Sequence, residues 1–426
     1  MAVNQDTNIA SAPSEFNINY VRILTSRSDE QVDITKMINY IEVYESIYSP
    51  FLTLKINILD AMSLTSILPL VGEEYIEVDI VGPDGEVGIR GQGFYVYKMT
   101  DRLAVSDRAM SYTLHCISGP AIVDMNLKLS QSLSGQPSDL VTTQLGKTGL
   151  SIIKPIYAQP TKNSVSYISN YWSPMQNIKY LCDRSVCKDT GAPSYMFFET
   201  KKSFMFVPLD VMVAQDASCD YFYSVNTHSE KVSLDTEQGI VHKLYVDDAF
   251  DYIDRIMTGA YGNRSLIVNT TNKRYEYNYY DFLDSFSNYA RLNQAPFASE
   301  NAVRRINSVF RTRSYSSQTM DKMSTEMTRD WFGQRLTEMA AINSQTVYLD
   351  VSGKMNIYAG NVINLIVPVA HITNSESSAN DMSSSLDKTL SGRYLITSLK
   401  HVFTRERHTV HMQINKDSLF KESGKK

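Results

Sequence analysis

The chain has 426 residues, of which 43% are hydrophobic and 20% are charged. This length allows more than one buried core, and the composition excludes a disordered or low-complexity protein. The formal net charge of −5 argues against a protein that wraps nucleic acid by neutralising phosphates.

Residues 17–116 are predicted to form a succession of antiparallel strands. Apolar and polar side chains alternate along 52–58 and again along 76–80. This period of two places one face of each strand on a core and the other toward water or a partner. Turn residues at 83–85 separate strands, and a short helix is predicted at 61–68.

Residues 117–212 are predicted to form a small α/β domain. Helices are predicted at 137–145 and 175–187, and strands at 195–199 and 203–207. Ser173 and Pro174 supply the residue types that begin the second helix.

The remaining chain is mixed and then returns to strands. An acidic stretch at 247–254 is predicted to be a solvated face or the first turn of a helix. A longer helix is predicted at 321–341, and alternating strands at 346–415. The charged end at 421–426 is expected to be disordered.

The strand pattern occurs twice. In each copy a glycine precedes an apolar strand ending near a proline, and a second glycine opens the next strand. These glycines are Gly72 and Gly93 in the first copy and Gly360 and Gly392 in the second. The duplication predicts two similar domains, and closing each sheet into a barrel would remove its exposed edges. The second copy also carries a Ser-rich insertion at 371–390.

Patterns that would carry nucleotide or metal chemistry are incomplete. Gly146 and Lys147 lack the earlier glycine of a phosphate-binding loop. Cys182 and Cys187 have no second pair of ligands, and on a helix they would point to different faces. His408 and His411 lie three apart on a predicted strand, which sends them to opposite faces.

No nucleophile is recognisable by its neighbourhood, since no Gly-x-Ser-x-Gly turn is present. A basic cluster contains Arg304, Arg305, Arg311 and Arg313. Few aromatic residues are interleaved for base stacking, so a solvated or subunit-contacting face is the better interpretation. We therefore expect no catalytic, cofactor-binding or metal-binding residues.

The N-terminal sequence lacks the pattern of a secretory signal, and no apolar run approaches the ~18 residues of a membrane span. Synthesis and folding in a cytoplasm are expected. The four cysteines are too few for a disulfide scaffold and would remain thiols in that compartment.

Several short segments carry a further resemblance. They are YGNRS at 261–265, NKRYEY at 272–277, YDF at 280–282, FFET at 197–200, FMF at 204–206, GRYLIT at 392–397 and QINKD at 413–417. Taken in their order along the chain, over most of its length, they resemble the central baseplate hub of contractile-tailed bacteriophages. Phage late control proteins and the hub portion of type VI secretion spike proteins share that architecture.

The resemblance implies a mainly β fold with α/β insertions, in which two tube-type antiparallel β-barrel domains are joined by smaller α/β domains. The implied domains are 1–116 (first barrel), 117–212 (α/β domain), 213–250 with 340–416 (split second barrel), 251–339 (inserted domain) and 417–426 (flexible tail).

The implied function is structural. A homotrimer would present six barrels, adapt the six-fold tail tube to the three-fold spike, and line the DNA channel in the virion baseplate. Implied partners are the tail tube protein, the spike, and tape-measure and baseplate wedge proteins, with DNA passing through without specific binding and no membrane insertion. An acidic net charge would suit such a channel.

Two alternatives stay open at this point. One is the hub of a phage-derived secretion or bacteriocin particle, which the neighbouring genes would distinguish. The other is a tail-associated cell-wall hydrolase, which would show muralytic activity dependent on a carboxylate or a cysteine.

Overall fold

A computed structural model describes residues 14–25, 31–68, 70–82, 87–147, 154–223, 239–269, 273–297, 310–315, 328–369 and 386–420. The fold is mainly β, with most strands in one 13-stranded, largely antiparallel sheet and with every described α-helix except one short helix at 64–67 in two insertions. The predicted fold class is confirmed.

The first group of strands contains β1 (Asn17–Leu24), β2 (Gln31–Asp33), β3 (Ile38–Ser46), β4 (Thr53–Asp60), β5 (Tyr75–Val81), β6 (Val87–Ser106) and β7 (Ala109–Ser118). They are hydrogen-bonded in the order β3-β4-β7-β6-β5-β1-β2, and all neighbours are antiparallel. Helix α1 (Leu64–Ile67) lies within the predicted helix.

This group curls around one core. Its two outer strands, β2 and β3, follow each other in the chain through a 3-10 turn at Thr35–Met37. Alternate residues of the strands point inward, and the buried side chains form a single cluster that includes Val21, Ile41, Ile56 and Leu114. The period-two pattern of the sequence therefore selects the core face.

The α/β segment follows directly. It contains α2 (Gly119–Asn126), β8 (Leu129–Gly135), α3 (Pro137–Lys147), β9 (Ile156–Ala158), β10 (Val165–Trp172), α4 (Pro174–Cys182), β11 (Tyr195–Glu199), β12 (Phe204–Pro208) and α5 (Leu209–Ala214). It has its own apolar core, in which Tyr195, Phe204 and Phe206 are completely buried.

Helix α4 begins where the sequence predicts but ends earlier. Ser173 and Gln176 form a reciprocal capping box at its start. The helix stops at Cys182 rather than at residue 187. Beyond that point the Val186 amide donates to Asn163 Oδ1 at 3.0 Å, so this backbone is held by another segment.

Two further strands and an inserted segment come next. The strands are β13 (Asp220–Phe222) and β14 (Val241–Asp248). The inserted segment contains α6 (Tyr252–Thr258), β15 (Gly262–Asn269), β16 (Arg274–Asp281), β17 (Ala295–Pro296), β18 (Phe310–Tyr315) and α7 (Thr328–Ala341). Asp251, from the predicted acidic stretch, caps α6 by accepting a hydrogen bond from the Asp254 amide at 2.8 Å.

The chain then returns to the large sheet. It adds β19 (Gln345–Ser352), β20 (Val362–Ile366), β21 (Gly392–Thr404) and β22 (His408–Lys416), and it ends with β23 (Ser418–Leu419). With β13 and β14, the first four of these form a second strand group around a separate core.

The second group repeats the strand order of the first. Its order β14-β19-β22-β21-β20-β13 corresponds, strand for strand in the chain, to β3-β4-β7-β6-β5-β1. The neighbours are antiparallel in both groups, except that β13 is parallel to β20 whereas β1 is antiparallel to β5. The predicted duplication is therefore confirmed at the level of strand order.

The end of the chain differs from the predicted flexible tail. Asp417 and Ser418 are buried, and β23 pairs with β17 of the inserted segment. The Asn293 amide donates to Ser418 Oγ at 2.8 Å. Residues 417–420 are therefore anchored to the inserted segment.

Several predictions lie outside the described residues. They are the turn at 83–85, Arg304 and Arg305, residues 321–327 of the predicted helix, most of the insertion at 371–390, and the end at 421–426. Within the described part of the chain, no helix is long and apolar enough to cross a membrane.

Candidate assembly surface

The two strand groups are joined edge to edge. β21 pairs antiparallel with β3, from Ser398 opposite Ser46 to Thr404 opposite Tyr40. The Ser46 and Ser398 hydroxyl oxygens lie 2.7 Å apart. This pairing, called the seam here, makes one continuous sheet from two strand groups.

The sheet has a continuous polar face that points away from both cores, called the outward face. Its half-buried or exposed residues at the seam are Glu42, Tyr44, Lys55, Asn57, Tyr348, Asp350, Lys400, Val402, His411 and Gln413. Lys400 Nζ lies 3.0 Å from Glu42 Oε1, across the seam. His411 hydrogen-bonds to Asp350 on the neighbouring strand.

The acidic excess of the chain is not concentrated on this face. By strand register, the residues that face the same way include the cations Lys55, Lys98, Lys243 and Lys400 and the anions Glu42 and Asp350. Positive and negative groups are interspersed. This face is therefore of mixed charge.

A depression of about 490 Å³ follows the seam. Tyr44, Tyr348 and Lys400 contribute to its walls. Partial burial raises the pKa of Glu42, but hydrogen bonds from Tyr44 and Lys400 outweigh it and lower the pKa overall. Burial and the same carboxylate raise the pKa of Tyr44. Glu42 is thus held as an anion with two donors already in place.

Behind the seam lies a buried ion pair. Lys154 Nζ and Glu199 Oε1 are 2.7 Å apart and both side chains are almost fully buried. Glu199 also accepts hydrogen bonds from the Leu52 amide at 3.0 Å and the Ser118 hydroxyl at 2.6 Å. One carboxylate therefore ties the α/β segment to β4 and β7 of the first strand group.

A second buried carboxylate connects the first strand group, the α/β segment and the second strand group. Glu45 of β3 accepts hydrogen bonds from the Lys201 amide at 3.1 Å and the Ala359 amide at 3.0 Å. Burial raises its pKa, and the nearby Lys201 acts in the opposite direction. Glu45 occupies an inward position, in phase with Ile41 and Val43, and a charged residue at such a position is a signal that the sequence itself contains.

Two buried histidines lie next to Lys201. His401 Nε2 lies 3.0 Å from Lys201 Nζ, and His401 Nδ1 lies 3.0 Å from His408 Nε2. Burial is the main cause, and the charge of Lys201 the second, that lowers the pKa of His408 to about 3 and that of His401 well below its usual range. The predicted opposite orientation of His408 and His411 is confirmed, since His408 is buried and His411 lies on the outward face.

The other predicted site residues are dispersed. Cys182 ends α4 whereas Cys187 lies beyond it, so the two do not share a helix as predicted. Burial raises the pKa of the Cys182 thiol to about 12, which makes it a poor nucleophile. Arg311 and Arg313 are on β18, which runs parallel to β15. Among the described residues, no group of three or more His, Cys, Asp or Glu is placed to hold a metal ion.

Comparison with protein-family models and with curated proteins finds no match. Solved structures are similar in fold. A tail protein from Neisseria meningitidis MC58 matches with a TM-score of 0.53 and 9% identity over 93% of this chain and 96% of that one. The fold is that of phage tail proteins.

Two prophage proteins support the same conclusion. The 43 kDa tail protein of prophage MuSo2 from Shewanella oneidensis has a TM-score of 0.55 and 8% identity, covering 94% of this chain and 98% of that chain. Prophage tail protein gp18 from Listeria monocytogenes EGD-e has a TM-score of 0.50 and 8% identity, covering 93% and 94%. Almost the whole chain therefore participates in a tail-protein fold.

Proposed function

We propose that this chain is a structural phage tail protein and serves as the trimeric central hub of the baseplate. In this role it adapts the six-fold tail tube to the three-fold spike and lines the DNA channel. The observation that carries the proposal is the repeated strand order within one chain, joined edge to edge at the seam.

The physical reason is symmetry. A three-fold object cannot make six equivalent contacts with a hexameric ring unless each chain offers two similar surfaces. The two strand groups are such surfaces, since five successive strands have the same order and the same antiparallel neighbours. Three copies would supply six.

The domain assignment is part of the proposal. We assign 1–116 to the first barrel, 117–212 to the α/β domain, 213–250 with 340–416 to the second barrel, and 251–339 to the inserted domain. The separate cores of the two strand groups and of the α/β segment support these divisions.

The proposed partners are the tail tube protein, the spike, and the tape-measure and wedge proteins of a virion baseplate. The outward face would contact passing DNA without retaining it, because its lysines stand among carboxylates. The proposed role is non-enzymatic, so a cell-wall zymogram with the purified protein should show no lysis.

Light scattering after gel filtration tests the proposal, with and without the spike. We expect a particle of three times the 48.2 kDa chain mass. Electron microscopy of the virion should then place the chain on the tail axis, between tube and spike. A protein that stays monomeric with its spike present, or that lies off the axis, would contradict the hub assignment.

A further inference from the structure

The seam inside the chain shows how two strand groups of this kind join. β22 borders one edge of β21 for most of its length. On the other edge, the start of β21 pairs with β20, and the remainder, Ser398–Thr404 in register, pairs with β3. The joining edge is therefore the second half of β21.

β6 is the counterpart of β21 in the first strand group. Its start pairs with β5, the last such pair being Tyr95 with Tyr75. Both strands carry a one-residue irregularity at the same place, between Val96 and Lys98 in β6 and between Ile396 and Ser398 in β21. β6 has two further irregularities, between Thr100 and Leu103 and between Ala104 and Ser106, which β21 lacks. Beyond it, no strand among the described residues pairs with this edge of β6.

β14 is the counterpart of β3. It pairs with β19 along one edge, as β3 pairs with β4, and no described strand pairs with its other edge. Each chain thus has one open edge of each kind. Long open edges template pairing with another chain, and natural proteins usually cover them.

The strand registers fix which residues would meet. Val402 faces Glu42 across the seam. Tracing common partners, Leu103 is the counterpart of Val402, because they pair with the equivalent residues Ser111 and Thr409. Tyr245 is the counterpart of Glu42 by the same argument. Tyr245 pairs with Tyr348 and Glu42 pairs with Lys55, and these two partners occupy equivalent positions in β19 and β4.

The two residues that this tracing brings together are both large, apolar and exposed. Leu103 is 67% exposed and Tyr245 is 62% exposed. Val105, two residues along the same edge, is 61% exposed. Pairing would bury these side chains against each other, which is the cross-strand contact that stabilises antiparallel sheets.

We infer that the open edge of β6, from Lys98 to Ser106, pairs antiparallel with β14 of a second copy, with Leu103 opposite Tyr245. The contact is head-to-tail, so successive copies form a closed ring if the rotation between them closes and an open filament if it does not. The inference rests on the proposed assembly of this chain with itself and adds the strands and the register. In a trimer, three such contacts would alternate with three internal seams.

Cysteine cross-linking tests the register. The double variant Leu103→Cys and Tyr245→Cys, oxidised with diamide, should shift from monomer to species of two and three chain masses in a non-reducing gel. A mixture of the two single variants should stop at two chains. Unmodified protein, with its native cysteines largely buried, gives the background.

The matched control is Leu103→Cys with Leu244→Cys. A shift of one residue points the side chain to the other face of the strand, so this pair should stay monomeric. An internal control, Val402→Cys with Glu42→Cys, should close within one chain and show that a seam of this kind can be bridged.

The outcomes separate the inference from the proposed function. A wild-type trimer whose Leu103 and Tyr245 cysteines do not cross-link would overturn the inference and leave the hub assignment. Cross-linked chains longer than three would support the pairing and contradict the trimer. Cross-linking of either single variant with itself, or a protein that is monomeric and not cross-linked, would overturn the pairing.

Discussion

At the scale of single residues, the ion pair of Lys154 and Glu199 is the most demanding feature of the fold. Removing one member leaves an uncompensated charge in the interior, which costs about 3–5 kcal/mol. We expect Glu199→Ala to lower the free energy of unfolding by at least this amount, because Leu52 and Ser118 also lose an acceptor. Denaturant unfolding followed by fluorescence measures it.

Lys188→Met is the comparison for the lysine of this pair. Lys188 is exposed on the same segment, and its replacement should change stability by less than about 0.5 kcal/mol. Lys154→Met should cost several times more than Lys188→Met. Equal effects of the two lysine substitutions would show that Lys154 is not held as the geometry indicates.

The two buried histidines predict a pH dependence. In the unfolded chain each imidazole has a pKa near 6.5, whereas in the fold burial and Lys201 lower the pKa of His408 to about 3 and that of His401 well below normal. As pH falls from 6.5 toward 3, only the unfolded state takes up these protons. The free energy of unfolding should therefore fall by about 1.4 kcal/mol per pH unit for each histidine.

His408→Asn should make this slope shallower by about 1.4 kcal/mol per pH unit, as measured by urea unfolding between about pH 6 and pH 4. His411→Asn is the control on the same strand, since it keeps both buried imidazoles, and it should retain the slope. An unchanged slope in His408→Asn would mean that His408 is not kept neutral by burial.

At the scale of elements, the start of helix α4 is set by its cap. Ser173 Oγ accepts a hydrogen bond from the Gln176 amide at 3.3 Å and donates to Asp124 Oδ2 at 3.0 Å. Ser173→Ala should cost about 1 kcal/mol in thermal or chemical unfolding. Ser173→Thr keeps the oxygen and should cost clearly less; similar losses in both would exclude the cap as the cause.

Elements set by local rules were predictable from the sequence. The strands of the two groups follow from their period of two, and α4 begins at the residue types that cap helices. Its early end was not predictable, since it depends on a side chain of Asn163 that lies elsewhere in the chain. Packing of Ser418 against the inserted segment escaped prediction for the same reason.

The seam shows the limit of sequence reasoning more clearly. Ser46 and Ser398 are separated by 352 positions, and nothing in their neighbourhoods indicates that β3 and β21 are partners. The duplication predicted two similar sheets but not the edges by which they join. The sequence places the charged Glu45 at a strand position where the period of two expects an apolar residue. Its partners Lys201 and Ala359, in contrast, depend on the assembled fold.

At the scale of the whole molecule, the distribution of charge matters more than its sum. The chain carries a net charge of −5, but the outward face interleaves cations with anions. A duplex that approaches this face meets attraction and repulsion at close spacing, within a Debye length of about 10 Å at 0.1 M salt. Weak, salt-sensitive contact is the expected result, as the proposed role in a DNA channel requires.

Adding cations to this face should convert weak contact into binding. We expect wild-type protein to bind duplex DNA no more tightly than about 10⁻⁴ M at physiological salt, and the double variant Thr409→Lys and Gln413→Lys to bind measurably tighter. Its affinity should also fall more steeply with salt in a fluorescence anisotropy titration, because added lysines release counterions from phosphates. The variant Asp139→Asn and Asp189→Asn raises the net charge by the same amount on the exposed α/β segment and should leave binding unchanged. Equal gains in both variants would show that DNA responds to net charge and not to the outward face.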